Sequence, residues 1–295
     1  MPQVNKKYKD TVFRHLFSEK EPLLELYNAV NGTAYTDPDG LEINTLENAI
    51  YMKFKNDISF VFGAELYLYE HQATVNPNMP LRNLFYVSTL LQGMIAKEDL
   101  YRSSRVHIPT PKFLVFYNGV QEQPETVEYR LSELFECPTK APELELTVKV
   151  LNINEGNNET IVEASQYLHD YVRYVSMVRK NMCSMTLEKA VEAAIDTCIR
   201  EGILAEYLKK HKAEVEAMSI FEYNEERHLK RVHDDALQEG LEKGIEEGIE
   251  KGRLQLLCQL MQEGILTEQD AIERAGMSKD EFLEMCEGMK GVLSE

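Results

Sequence analysis

Three side chains define the chemistry open to this sequence: Asp57, Glu70 and Gln72. Two stretches, Asn56–Phe62 and Leu66–Gln72, are rich in aromatic and β-branched residues and read as strands. Gly63-Ala64-Glu65 between them is the length of a hairpin loop containing glycine. In an antiparallel hairpin the start of one strand lies beside the end of the other, so Asp57 and Glu70 can meet. Side chains two apart on a strand share a face, so Glu70 and Gln72 point one way and His71 the other. Paired carboxylates with one further polar group, on a rigid hairpin, suit a hydrolytic Mg²⁺ site. Mg²⁺ takes oxygen ligands, keeps several waters, and is held by one or two carboxylates plus substrate phosphate.

Each residue also has a plainer reading. Asp57 alone would be a strand-edge aspartate capping a turn. Glu70 follows Leu66-Tyr67-Leu68-Tyr69 in a strand expected to be central, where an unpaired carboxylate is costly. It therefore requires a partner, a metal ion or an arginine. Gln72 could simply bond to backbone, and His71 reads as a buried structural histidine. Arg82, near the start of the following helix, is a candidate phosphate contact, with a surface ion pair as the alternative. Tyr117-Asn118-Gly119 reads as a strand end and turn that could also line a cleft. The sequence carries no P-loop, Gly-x-Ser-x-Gly, His-Glu-x-x-His or Rossmann glycine fingerprint.

Asp57 followed by Glu70-x-Gln72 resembles the core of the PD-(D/E)XK nuclease superfamily, in the variant with glutamine in place of lysine. Further stretches sharpen the likeness: Lys9-Asp10-Thr11-Val12-Phe13-Arg14-His15-Leu16-Phe17, Leu41-Glu42-Ile43-Asn44-Thr45, Asn76-Pro77-Asn78-Met79-Pro80-Leu81-Arg82 and Phe116-Tyr117-Asn118-Gly119. Together they resemble the Rpn family of recombination-promoting nucleases, over about the first 135 residues. The resemblance implies a metal-dependent DNA endonuclease linked with recombination, mobile elements or phage defence. Asp57 and Glu70 would hold Mg²⁺ (or Mn²⁺ or Ca²⁺), and Gln72 would orient the attacking water without the charge a lysine carries. Asp10 reads as a helix N-cap, and the superfamily's first-helix acids make a further metal ligand its alternative. The missing lysine gives weight to a second reading, an inactive nuclease fold that binds DNA or protein.

The elements that would position these residues follow from local pattern. Phe13, Leu16 and Phe17 form an apolar helical face, and Pro22 opens a second helix that Asn31-Gly32 stops. Leu41–Thr45 reads as a first strand. Asn76–Pro80 reads as a loop before a helix from Leu81 to about Lys97, with Arg82, Tyr86 and Thr89 on one face. Lys112–Tyr117 and Leu144–Ile153 are further strands. This order predicts an α/β fold, a PD-(D/E)XK-like mixed sheet flanked by helices, with an α-helical C-terminal region. Three regions are expected: a nuclease domain over 1–157, helices packing on or extending it over 158–235, and an acidic helical tail over 236–295.

In the tail, Gly240, Gly244, Gly248 and Gly252 recur every four residues, with Leu241, Ile245 and Ile249 following three of them. Such a flank permits close approach of another helix, and a homo-oligomer through the C-terminal helices is the expectation. Leu254–Glu263 and two stretches begun by Thr267 and Ser278 read as three short helices. Their acidity argues against groove binding.

At 295 residues, 43% hydrophobic and 28% charged, the chain suits one large or two modest packed domains. No apolar run reaches a membrane span, and Met1–Asp10 has no hydrophobic stretch for a secretory signal. Five cysteines, an odd number without a Cys-x-x-Cys pair, argue against a disulfide framework or zinc site and fit a reducing cytoplasm. The net charge of −18 is uneven. Residues 1–120 hold 12 Lys and Arg against 13 Asp and Glu, a net of −1, and the remainder 20 against 37, a net of −17. A DNA partner is thus compatible with the N-terminal part, with nonspecific affinity that falls as salt rises.

Overall fold

Period-2 alternation in the N-terminal half builds a mixed sheet with helices on both faces. The computed structural model describes residues 11–44 and 57–290. In chain order it contains α1 (Val12–Phe17), α2 (Lys20–Asn31), β1 (Leu41–Ile43), β2 (Ile58–Phe62), β3 (Glu65–Gln72), α3 (Met79–Met94), β4 (Thr110–Tyr117), β5 (Thr126–Arg130) and β6 (Thr147–Asn152). There follow α4 (Glu159–Glu163), α5 (Gln166–Met182), α6 (Leu187–Glu201), α7 (Ala205–Gln262), α8 (Glu268–Ala275) and α9 (Lys279–Lys290). The chain divides into two compact units, Met1–Glu226 and Arg227–Glu295, with the boundary inside α7.

The first unit holds a six-stranded sheet of order β1-β2-β3-β4-β6-β5. β3, β4 and β6 run parallel, while β1 and β2 on one side and β5 on the other pair antiparallel. β3 therefore has a strand on each side, the central place expected for Glu70. One face of the sheet packs Phe60, Tyr67, Tyr69 and Phe116 against α1, α2, α5 and α6. The other packs Leu66, Leu68, Val115 and Val148 against Met79, Tyr86, Val87 and Leu90 of α3.

Several boundaries differ from the sequence expectation. The hairpin loop is the two residues Gly63-Ala64, because Glu65 already pairs with Phe62. Gly63 has φ +60°, as the first position of a II′ turn wants. α3 begins at Met79, with Pro80 in its first turn, where the missing N–H costs nothing. Strand β5 was not foreseen, although Val127 and Tyr129 alternate with exposed residues along it. The Thr11 hydroxyl caps α1 by accepting from the Arg14 amide at 3.1 Å. Asp10, Thr45 and Asn56 lie outside the described residues.

The stretch at Leu254–Glu263 is the end of α7 and not a separate helix. α7 departs from helical geometry at His211 (φ −120°, ψ 23°) but runs on through the glycine-periodic stretch. Each of these glycines costs roughly 1 kcal/mol of helix stability, but none adopts the positive φ that ends a helix. A Cβ placed on Gly240, Gly244, Gly248 or Gly252 would meet nothing within 4 Å. In the second unit Thr267 and Ser278 cap α8 and α9 as expected, accepting from the amides of Asp270 and Glu281 at 3.2 and 3.4 Å.

The core of the second unit corrects the cysteine expectation. Leu257, Cys258, Ala271, Phe282 and Cys286 pack together, and Cys258 and Cys286 form a disulfide with Cα atoms 5.7 Å apart. A separation of 28 residues leaves no local trace; the packing of α9 on the end of α7 creates the pair. Thiol titration of denatured, unreduced protein is expected to find three reactive cysteines, Cys137, Cys183 and Cys198. After reduction it is expected to find five. Five in both would show that Cys258 and Cys286 are thiols.

Candidate active site

The site grows from the register of the hairpin. Ile58 pairs with Tyr69, so Asp57 arrives beside Glu70 at the end of β3. The Asp57 amide donates to Glu70 Oε1 at 3.1 Å, and the His71 amide donates to Asp57 Oδ2 at 2.7 Å. Each acid is thus fixed by the backbone of the neighbouring strand, and the two carboxylates are brought together as the spacing predicts. Glu70 is 1% exposed.

Of the two partners that the burial of Glu70 allows, a metal ion or an arginine, the structure supplies an arginine, Arg82. Its Nη2 lies 3.3 Å from Glu70 Oε2. Tyr86, one turn further along α3, accepts from Arg82 Nη2 at 2.9 Å and from Nε at 3.3 Å. The guanidinium also stands 5.7 Å from the centre of the Tyr86 ring, within cation–π range. Arg82 is therefore a partly buried member of the site and not a surface ion pair. Burial, and next the charge of Asp57, push the Glu70 carboxyl well above the usual carboxylate range. Arg82, the Asp57 amide and Arg14 of α1 pull it back only in part. Burial works against the Arg82 cation, but Glu70 and Tyr86 outweigh it and raise the guanidinium further.

Gln72 shares the face of Glu70 but lies at the sheet end, half-buried, in a solvent-open cleft. Met79, Val115, Tyr117, Val150 and Asn152 line that cleft with it, and the two acids do not. Tyr117 thus lines the cleft, whereas Asn118 and Gly119 close the strand end. His71 points to the other face. It stacks on Phe13 with ring centres 4.9 Å apart, and its Nε2 lies 3.0 Å from the Tyr171 hydroxyl.

Could these groups hold a divalent cation? Asp57 and Glu70 form a hard oxygen pair, and a buried carboxyl whose charge is suppressed by a second one is relieved by added positive charge. The donor set fits. Among the described residues no group of three His, Cys, Asp or Glu could hold a metal, so the remaining ligands would be water and substrate oxygen, as Mg²⁺ commonly takes.

Sequence reasoning placed Tyr86 on the face of Arg82 but gave it no role, although the i,i+4 spacing was the signal. Arg14, whose charge reaches Glu70, had no signal at all. No protein-family model, curated protein or solved structure matches the chain.

Burial, then the Arg179 charge, pushes the His71 imidazole down to about 3. The unfolded chain takes up this proton near 6.5 and the folded chain does not. Stability is therefore complete above pH 6.5 and falls as pH drops towards 3, by up to about 1.4 kcal/mol per pH unit. Urea unfolding between pH 7 and 4 is expected to show this slope in wild type and a shallower one in His71→Gln. Equal slopes would mean that the folded imidazole is charged.

Proposed function

We propose that the chain is a divalent-metal-dependent DNA endonuclease of the PD-(D/E)XK kind, similar to the Rpn nucleases. The observation that carries this reading is the joining of Asp57 to a buried Glu70 across the hairpin, with Arg82 beside them. Asp57 and Glu70 would hold Mg²⁺, Mn²⁺ or Ca²⁺. When bound, the ion supplies Lewis-acid polarisation of a phosphate and lowers the pKa of a water.

The chain's own residues supply position and field. Arg82, held by Tyr86, presents a fixed guanidinium that suits a phosphate oxygen and the negative charge it gains during hydrolysis. Gln72 offers a neutral amide that orients a water but cannot take up its proton. The reading extends to a protein acting in recombination, mobile-element or phage-defence processes; the cytoplasmic expectation loses its cysteine argument, since Cys258 and Cys286 pair. It includes a homo-oligomer through the C-terminal helices, supported by the exposed ridge Leu237, Leu241, Ile245 and Ile249 beside the glycines. No helix among the described residues is long and apolar enough to cross a membrane.

One observation favours a second reading. Arg82 already pairs with Glu70, so the site is held together without a cation, as in a nuclease fold that binds DNA or protein without cutting.

Purified full-length protein is expected to nick supercoiled plasmid with Mg²⁺ or Mn²⁺ and to stop with EDTA. Asp57→Ala and Glu70→Ala should each slow nicking by on the order of 100-fold or more, since changes around metal ligands alone cost roughly 10–100-fold. The same ions should raise Tm in wild type and not in Glu70→Ala. DNA binding without nicking in any ion would establish the second reading.

A further inference from the structure

We infer that Arg179 is a positioning residue for the candidate active site, acting through Asn118 on the end of β3 that carries Gln72. The inference rests on the endonuclease reading. Arg179 stands in the last turn of α5. Its Nη1 donates to Oδ1 of Asn118 at 2.9 Å and to Oδ1 of Asn154 at 2.8 Å, and its Nη2 donates to the Asn118 carbonyl. The Asn118 amide in turn donates to the Gln72 carbonyl at 3.0 Å. Asn154 Nδ2 donates to the Gly119 carbonyl at 3.1 Å. Gly119 itself lies so close to the next link that a Cβ there would sit 2.1 Å from the Ala73 carbonyl oxygen. One guanidinium thus fixes the end of β4, the turn after it, and through them residues 72 and 73.

The three bonds of Arg179 stabilise the cluster, but its design is not the cheapest for stability alone. Arg179 has no carboxylate partner among the described residues. Its Nε and the Nδ2 of Asn118 are buried donors without an acceptor. Unpaired buried donors are a cost, and apolar side chains usually serve packing better than buried charge. What the cluster supplies is a planar fork that spans two asparagines at once, which a lysine cannot reproduce. Two turns earlier on the same helix, Tyr171 holds His71. α5 therefore grips the end of β3 from the face opposite Glu70, without touching either carboxylate.

The test is steady-state cleavage of a labelled DNA duplex by full-length protein. Wild type is compared with Arg179→Met, Arg179→Lys, Gln72→Ala and the Arg179→Met/Gln72→Ala double variant, with Tm for each. Arg179→Met is expected to lower kcat on the order of 10-fold, leave KM unchanged and keep Tm within about 3 °C. Arg179→Lys should not restore the rate. The double variant should be no slower than Gln72→Ala, because the two residues act as one unit. Effects that multiply in the double variant, or a wild-type kcat in Arg179→Met, would overturn the proposal. Should Arg179→Met fail to fold, Asn154→Ala removes one anchor and must show the same non-additivity with Gln72→Ala. A wild type that cleaves no DNA removes the endonuclease reading and this proposal together, whereas an active wild type with multiplying effects removes this proposal alone.

Discussion

Placing a carboxyl group at 1% exposure in a central strand is the constraint around which the first unit is arranged. An isolated buried carboxylate costs several kcal/mol, and leaving one unpaired is among the few single defects that can unfold a domain. Glu70 is tolerated because two neighbours converge on it, the Asp57 amide just before β2 and Arg82 from α3. That requirement fixes how α3 lies on the sheet. Arg82 and Tyr86 must sit over the end of β3 while Met79, Val87 and Leu90 cover Leu66 and Leu68. The loop 73–78 has only to deliver the first turn of α3 to that place, and Pro80 starts the helix without a lost hydrogen bond.

The same strand faces a different medium on its other side. Tyr67, Tyr69 and His71 enter an aromatic layer with Phe13, Phe60, Phe116 and Tyr171. A slip of one residue in register would exchange the two sets, putting a carboxyl into the aromatic layer and Tyr69 beside Arg82. Opposite penalties on the two faces therefore select one register. The parallel pairing of β3 with β4 then carries that choice across the sheet.

Much of this was legible because it is local. The hairpin, the meeting of Asp57 with Glu70, the turn of His71 to the opposite, buried face and the central place of the strand all follow from period-2 alternation over sixteen residues, 57–72. Even the need for an arginine or a metal at Glu70 followed from the cost of burial. Contacts made at long range left no such trace. Arg179 reaches Asn118 across 61 positions, and Cys258 reaches Cys286 across 28. The continuity of α7 had a different obstacle: the glycine-periodic stretch reads as a helix, but nothing local shows that it runs unbroken into Leu254–Gln262. Strand β5 was passed over because it is short and half-exposed.

Charge and position in this site come from different layers. The acids and Arg82 lie between the sheet and α3, while the end of the strand that bears them is held by α5 from the opposite face. α5 enters the chain only after the last strand, at Gln166, yet Tyr171 and Tyr174 are buried among α1, α2 and the sheet. Its first turn is capped by Ser165, which in turn donates to Glu25 of α2 at 2.9 Å. The helices beyond residue 158 are therefore part of what holds the candidate site residues of the N-terminal part in place. Removing them would expose one whole face of the sheet, Phe116 and Leu151 included, and release β3 at the point where Gln72 leaves it. A stretch of sequence can carry every residue of a catalytic constellation and still lack the side chains that hold it in place.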